Sequence, residues 1–197
     1  ALACGDLGDV AINTFSLSDT IRLITEAYDT HLKRDVIPIG LGGDHSMTLP
    51  ILRSIAKKHG PVALVHVDAH ADVNEEMFGE RETHGTVFRR AYEEGLIVPA
   101  KVFQVGLRGT GYTADDFTEA AGWGFHQHLA HELWHKSLTP LAVEIKEKIG
   151  IHKTYISYDI DSLDPSFAPG TGTPEIGGLT TMQAMELIRG LRGLNIV

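Results

Sequence analysis

Residues 62–72 read VALVHVDAHAD, and this segment is the strongest indication of the fold class. Its first part, Val62–Val67, is mostly apolar and rich in β-branched side chains, which is typical of a strand buried on both faces of a parallel sheet. Acidic and imidazole side chains follow at once, from Asp68 onward. Three other runs have the same strand-like character: 36–41, 102–107 and 154–160.

Amphipathic stretches alternate with these runs and predict helices at 18–31, 47–58, 88–94, 138–149 and 181–191. Thr180 and Gln183 form a capping-box pattern at the start of the last stretch. Alternating β and α elements at this spacing predict an α/β protein. We expect a three-layer α/β/α architecture with a mostly parallel central sheet.

Composition excludes several classes of protein. The 197 residues carry a net charge of -9, from 17 Lys and Arg against 26 Asp and Glu, so we expect no nucleic-acid partner and no membrane surface. No apolar run approaches the roughly 20 residues that a membrane-spanning helix needs. The one cysteine, Cys4, cannot form an internal disulfide, which indicates a reducing compartment, most simply the cytoplasm.

Polar clusters follow three of the predicted strands, at the edge where α/β sheets bind ligands. Asp68, His70 and Asp72 are spaced by two, so on an extended chain their side chains share one side. Asp159 and Asp161 repeat this spacing, and His45 adds a second imidazole. Carboxylates that converge without a basic partner raise one another's pKa, and a divalent cation removes that cost.

Four carboxylates and two imidazoles are too many ligands for one tetrahedral zinc ion. They suit a pair of cations that share a water molecule. Oxygen-rich ligands favour Mn²⁺ on grounds of softness, and Ni²⁺ or Co²⁺ stay open as alternatives. His66, inside the strand, is expected to be packed in the core rather than to bind metal.

Four motifs are similar to those of the ureohydrolase family of arginases and agmatinases: GGDH at 42–45, VDAHAD at 67–72, HGTVFRR at 84–90 and DIDSLDPSFAPGTGTP at 159–174. The chain most resembles the agmatinase-like branch and, within it, guanidinobutyrase. The resemblance implies an arginase-like fold, two Mn²⁺ per subunit, a homotrimer or homohexamer, and hydrolysis of a guanidino compound to urea and an amine. For a eukaryotic source it also leaves a mitochondrial location open.

The same resemblance implies roles for individual residues. One cation would bind His45, Asp68, Asp72 and Asp159, and the other would bind Asp68, His70, Asp159 and Asp161, with Asp68 and Asp159 as bridges. His84 is implied as the proton shuttle, and His84 and Asp72 are the predicted catalytic residues. Asn74, Met77 and Thr173 are the predicted substrate-binding residues.

The resemblance also bears on the extent of the chain. Residues 1–197 are expected to form a single ureohydrolase domain segment. It would lack an N-terminal strand and a C-terminal strand and helix of the family fold. The family's guanidinium-binding glutamate would lie beyond Val197.

The identity of the substrate is less constrained. The stretch 106–112 reads GLRGTGY and lacks the acid that helps arginases hold the α-amino group of arginine. The loop at 74–80 resembles that of guanidinobutyrate hydrolases, which favours 4-guanidinobutyrate, with 4-aminobutyrate and urea as products. Glu75 and Glu76 either attract the amine of agmatine or are solvated, so agmatine, guanidinopropionate and guanidine stay open.

Two hypotheses of a different kind are alternatives to a ureohydrolase. HELWH at 131–135 matches the HExxH pattern of zinc metalloproteases, in which two histidines share a helix face. A chance match is the simpler explanation, because Pro140 follows closely and no third ligand appears. An inactive homologue that serves only as a binding or assembly subunit is the second alternative.

Overall fold

The structure is a computed structural model that describes residues 3–109, 111, 115 and 117–197. Five strands form one sheet: β1 Val62–Val67, β2 Ile97–Leu107, β3 His126–Leu129, β4 Lys153–Tyr158 and β5 Asn195–Ile196. Every pairing between them is parallel, and their order across the sheet is β3-β2-β1-β4-β5. The predicted parallel sheet is therefore confirmed.

In the described residues, seven α-helices accompany the strands: α1 Leu17–His31, α2 Thr48–His59, α3 Val87–Glu93, α4 Thr118–Gly122, α5 Ala130–Leu133, α6 Thr139–Ile149 and α7 Thr181–Gly190. Three short 3-10 helices lie at His45–Met47, His84–Thr86 and Ile160–Ser162. The predicted capping box of α7 is present, because the Thr180 hydroxyl accepts a hydrogen bond from the Gln183 backbone N–H. Within the described ranges, none of the helices is both long and apolar enough to cross a bilayer.

The sheet separates two apolar cores, as a three-layer α/β/α architecture requires. Val62 and Leu64 of β1 pack on one face with side chains of α1, α2 and α3. Val65 and Val67 pack on the other face with side chains of α6 and α7. All six residues of β1 are buried, because alternate side chains of this central strand enter opposite cores.

The prediction of a strand at 36–41 is wrong for the described structure, where this segment forms neither helix nor strand. The side chains of Ile37, Ile39 and Leu41 are exposed. Apolar, β-branched sequence favours an extended backbone, but a strand also needs a neighbouring backbone to pair with. No described strand pairs with this segment.

Strand order determines where a ligand site can form. The chain runs from β1 outward to β2 and β3, then returns to place β4 on the opposite side of β1. The connections after β1 and β4 therefore leave in opposite directions, which opens a crevice at the carboxyl ends of these two strands.

Candidate metal centre

A cavity of about 1080 Å³ lies in this crevice. Its wall contains all six predicted metal ligands: His45, Asp68, His70, Asp72, Asp159 and Asp161. The predicted catalytic His84 and the predicted substrate-binding residues Asn74, Met77 and Thr173 also line it. The structure therefore gathers every predicted site residue around one space, although their chemical roles stay predictions.

The backbone after β1 does not bring its ligands together in the predicted way. The strand ends at Val67, and Asp68 Oδ1 accepts a hydrogen bond of 2.7 Å from the backbone N–H of His70. Asp72 has a φ of 51°, in the left-handed region that aspartate tolerates better than most residues. The expectation of an extended chain is therefore wrong, and a turn brings Asp68, His70 and Asp72 together.

A turn also follows β4. Asp159 caps the 3-10 helix Ile160–Ser162, and its Oδ1 accepts a hydrogen bond of 3.0 Å from the Asp161 backbone N–H. Asp161 Oδ1 in turn accepts a 3.1 Å hydrogen bond from the backbone N–H of Ala69. This bond ties the two strand ends together, so the predicted extended pair at 159 and 161 is corrected to a capped turn.

The first ligand group gathers around His45. The Nδ1 atom of His45 lies 2.8 Å from Asp72 Oδ2, 3.0 Å from Asp68 Oδ2 and 3.8 Å from Asp159 Oδ2. It is buried, yet none of the described atoms meets it in hydrogen-bond geometry. A buried nitrogen lone pair that faces carboxylates without a hydrogen bond is suited to a cation between them.

The second group gathers around His70. Its Nδ1 atom lies 3.2 Å from Asp161 Oδ2 and 3.4 Å from Asp68 Oδ1. Asp68 thus offers one oxygen to each group. Gly109 lets the imidazole ring lie here, because a Cβ at that position would collide with the ring of His70.

The spacing within both groups suits metal coordination. Two ligand atoms that each lie about 2.1 Å from one ion, at right angles, are about 3.0 Å apart. The described residues contain two sets of potential ligands within mutual reach: His45, His66, Asp68 and Asp72, and then Asp68, His70 and Asp161. Asp159 is in neither set and lies beside His45, so its predicted bridging role stays a prediction.

The pKa values of the two imidazoles respond to the carboxylates around them. Burial disfavours the charged imidazolium of His45, but Asp68 and Asp72 outweigh burial and raise its pKa well above the ordinary value. The same balance, with Asp161 and Asp68 as partners, raises the pKa of His70 to about 10. Burial and the charge of Asp68 raise the pKa of Asp159. The raised pKa values of both imidazoles thus reflect the negative charge that Asp68, Asp72 and Asp161 concentrate here.

This arrangement predicts how the stability of the metal-free protein depends on pH. A proton on His70 stabilises the folded state fully below its ordinary pKa of 6.5, and this contribution is lost as pH rises through about 10. We expect the thermal midpoint of chelator-treated full-length protein to fall between pH 7 and 10. His70→Gln removes this titrating group and should flatten the decline. An equal decline in both proteins would contradict the assignment.

His84 and Asn74 lie next to each other at the cavity wall. His84 is half-buried and opens the 3-10 helix His84–Thr86. The Asn74 side-chain amide donates a 3.0 Å hydrogen bond to the carbonyl oxygen of Gly85. This hydrogen bond therefore holds the turn that contains His84 against the loop that follows Asp72.

The other two predicted substrate residues occupy separate parts of the wall. Met77 is buried, and a Cβ at Gly85 would collide with its sulfur atom, so Gly85 leaves room for this side chain. The Thr173 hydroxyl donates a 3.1 Å hydrogen bond to Asp161 Oδ2. Thr173 therefore contacts a predicted metal ligand directly.

Arg108 is a structural residue of the site that the sequence analysis did not identify. Its guanidinium donates hydrogen bonds to backbone carbonyls on both sides of the loop at 161–176, including Asp161 at 2.7 Å and Glu175 at 2.6 Å. Arg108 therefore holds the segment with Thr173 against the end of β2. A lone arginine after a strand gave no signal for this role. Thr110 and Tyr112, from the stretch used to argue against arginine as substrate, lie outside the described residues.

The HExxH pattern does not form a protease site in the described residues. Helix α5 ends at Leu133, and His135 has a φ of 59°, so His131 and His135 do not lie on one continuous helix. Neither histidine belongs to a group of potential ligands within mutual reach. The metalloprotease alternative therefore has no structural support.

Comparisons with known proteins agree with this geometry. A family profile described as "Arginase family" matches residues 1–197. Guanidinobutyrase of Pseudomonas aeruginosa is 58% identical over 197 residues, which are 100% of this chain and 62% of that protein. A protein of Gallus gallus named "Agmatinase, mitochondrial" is 50% identical over the same 197 residues, 58% of its own length. The chain thus spans less than two thirds of these curated relatives.

Solved structures show the same fold. Proclavaminate amidino hydrolase from Streptomyces clavuligerus superposes with a TM-score of 0.94 at 39% identity, over 99% of this chain and 65% of that one. Arginase from Bacillus subtilis superposes with a TM-score of 0.84 at 25% identity, over 98% of this chain and 74% of that one. The arrangement of strands and helices is therefore that of these hydrolases.

Proposed function

Because this chain belongs to the arginase family, we propose that the protein hydrolyses a guanidino compound to urea and an amine. The observation that carries the proposal is the pair of His and Asp groups that share Asp68 at the carboxyl ends of β1 and β4. We propose two Mn²⁺ per subunit as the occupants, with Ni²⁺ and Co²⁺ as alternatives.

The residues present fit two such cations. His45 Nδ1 lacks a hydrogen bond in the described structure, and the ligand atoms are spaced as a common ion requires. When bound, a pair of divalent cations supplies Lewis-acid chemistry and a nucleophile derived from water near neutral pH. In the proposal His45 and Asp72 hold one cation, His70 and Asp161 hold the other, and Asp68 and Asp159 bridge them.

The remaining residues act on the substrate and its proton. A guanidinium group is resonance-stabilised, and its amine must leave with a proton. In the proposal the imidazole of His84 carries that proton, since histidine exchanges protons near neutral pH. Thr173 lies against the guanidinium end, whereas Asn74 and Met77 line the space for the substrate tail.

The proposed substrate is 4-guanidinobutyrate, supported by the similarity to guanidinobutyrase and by the surroundings of Glu75. Glu75 lies 3.1 Å from both Arg81 and Arg89 and 3.6 Å from Arg90. These arginines neutralise a glutamate that would otherwise be a candidate to attract the amine of agmatine. Neither Glu75 nor Glu76 lines the cavity, whose wall at Asn74 and Met77 is uncharged.

The direct test is urea release by the full-length, Mn²⁺-loaded protein from 4-guanidinobutyrate, agmatine, 3-guanidinopropionate, guanidine and arginine. We expect the highest kcat/KM with 4-guanidinobutyrate and the lowest with arginine. Equal or faster turnover of agmatine would replace the proposed substrate with agmatine. Bound metal without urea from any of these compounds would instead favour an inactive homologue that serves in binding or assembly.

Assembly and compartment are part of the same proposal. Family membership supports a homotrimer or homohexamer. The free, exposed Cys4 suits a reducing compartment. We propose the cytoplasm, with the mitochondrion as the alternative for a eukaryotic source, because a relative carries "mitochondrial" in its name.

A further inference from the structure

Four polar side chains form a row across the sheet, one residue before the carboxyl end of β1. Strand register pairs His66 with Gln104 on β2 and with Ser157 on β4, and it pairs Gln104 with Gln127 on β3. We call these four residues the polar row. His66, Gln104 and Ser157 are buried, and burying polar groups is costly unless each finds a partner.

The hydrogen bonds of Gln104 have a fixed direction. Its Nε2 group donates 2.8 Å to the carbonyl oxygen of Ala71, which can only accept, so the amide orientation is determined. The same NH₂ group lies 3.1 Å from His66 Nδ1, and Gln127 donates 3.0 Å to Gln104 Oε1. His66 Nδ1 therefore accepts a hydrogen bond.

The tautomer of His66 follows from this bond. Because Nδ1 accepts from Gln104, the ring proton lies on Nε2, which is 2.8 Å from Asp68 Oδ2. An Nε2 atom that carries its proton and donates to a carboxylate has no lone pair to offer a metal. His66 is thus a donor to Asp68, although it lies within ligand distance of His45 and Asp72.

The other end of the polar row reaches the same ligand group. Ser157 Oγ lies 2.7 Å from His45 Nε2, which can donate to it and leave Nδ1 free to face the carboxylates. Three described hydrogen bonds leave the row: Gln104 donates to the Ala71 carbonyl, and the other two, from His66 and at Ser157, end on Asp68 and His45 of the first group.

Different contacts hold the second group. Asp161 Oδ1 accepts from the Ala69 backbone, and Asp161 Oδ2 accepts from Thr173. Asp68 Oδ1 accepts from the backbone N–H of His70. In the described part of the chain, none of these hydrogen bonds of the polar row reaches Asp161 or His70.

We propose that the polar row sets the geometry and affinity of one cation position, that of His45 and Asp72, and that His66 is its positioning residue through a hydrogen bond to Asp68 Oδ2. The proposal rests on the proposed metal-dependent function. Partners that orient a ligand in this way typically contribute about 10- to 100-fold to metal affinity.

The test uses two replacements of His66 in the full-length protein. His66→Phe keeps a ring beside Phe88, whose ring centroid is 4.1 Å from that of His66, but it removes the donor. His66→Gln keeps an amide donor toward Asp68 and an acceptor toward Gln104. Thr173→Val is the matched control, because it removes a hydroxyl that contacts Asp161 of the second group.

Mn²⁺ is titrated into each metal-free protein by calorimetry, and electron paramagnetic resonance reports whether bound ions form coupled pairs. We expect two binding steps in the unmodified protein. In His66→Phe one step should weaken about 10- to 100-fold, with fewer coupled pairs at limiting Mn²⁺. His66→Gln should restore most of the lost affinity, and Thr173→Val should weaken the other step.

Other results of the Mn²⁺ titrations would contradict either the proposed function or the role of the polar row. Unmodified protein that binds no metal would overturn the proposed function itself. Two normal binding steps in His66→Phe would overturn only the role of the polar row. Equal weakening in His66→Phe and His66→Gln would show that His66 acts through packing, and equal loss of both steps would show that the row does not act on one position. Either result would also overturn the proposal.

Discussion

Replacing Asp161 with alanine is expected to reduce urea release by the full-length, Mn²⁺-supplied protein by about 10³-fold or more, because several kcal/mol of Lewis-acid stabilisation depend on its carboxylate. Asp161 is buried, and its Oδ2 faces His70 Nδ1 at 3.2 Å. Its Oδ1 also accepts a hydrogen bond from the Ala69 backbone N–H, so one substitution removes a proposed ligand and a tie between the ends of β1 and β4. Bound metal per subunit, measured after gel filtration, should fall together with activity.

Because Asp161 also ties the ends of β1 and β4 together, a conservative variant is needed to separate this structural role from the proposed metal binding. Asp161→Asn keeps an oxygen for the Ala69 N–H but removes the negative charge, so it should keep the fold and still lose metal and activity. Alanine at both His131 and His135 is the histidine control, since neither lies in a ligand group of the described structure. Wild-type metal content in Asp161→Asn, or loss of urea in the double variant, would contradict the proposed centre.

Replacing His84 with alanine is expected to lower kcat by about 10²- to 10⁴-fold, the usual contribution of general acid–base catalysis. His84 lines the cavity but belongs to neither ligand group of the described residues. Metal content should therefore stay at the wild-type level, in contrast to the Asp161 variants. Exogenous imidazole should restore part of the activity, because it can carry the same proton.

The Asn74→Ala variant separates the positioning of His84 from proton transfer by its imidazole. It removes the side-chain amide that donates to the Gly85 carbonyl and leaves the Asn74 backbone N–H as the remaining donor, so the turn with His84 is held less firmly while the imidazole stays in place. We expect a smaller loss of kcat, without a response to added imidazole. If His84→Ala loses metal as well as activity, or shows no rescue, the side chain has a structural role and the proton-shuttle assignment fails.

Much of the fold was predictable because its signal is local. The apolar runs that became β1, β2 and β4 and the amphipathic stretches that became α1, α2, α6 and α7 were each recognised from their own residues. The run at 36–41 shows the limit of this reasoning. Its composition matches that of β1, but pairing depends on a neighbouring backbone, and periodicity carries no information about neighbours.

The sequence shows that polar residues lie inside β1 and β2, but it does not show what they bind. His66 interrupts the apolar strand β1 and Gln104 interrupts the apolar run 102–107 of β2, which is unusual because unpaired polar groups are costly in a core. The sequence does not show that both occupy the same level of the sheet, since register between strands is set by pairing. The prediction that His66 is packed in the core is confirmed by its burial, but only its contacts identify it as a donor to Asp68.

The class of fold and the chemical types of the site residues can be predicted from the sequence, because strand and helix periodicity and runs such as VDAHAD are properties of adjacent residues. How the side chains converge depends on three features of the folded chain: a left-handed Asp72, a capped turn after β4, and a strand order that places β1 beside β4. These features are needed because coordination depends on distances of about 3 Å between atoms far apart in the chain. Those distances come from turns and register.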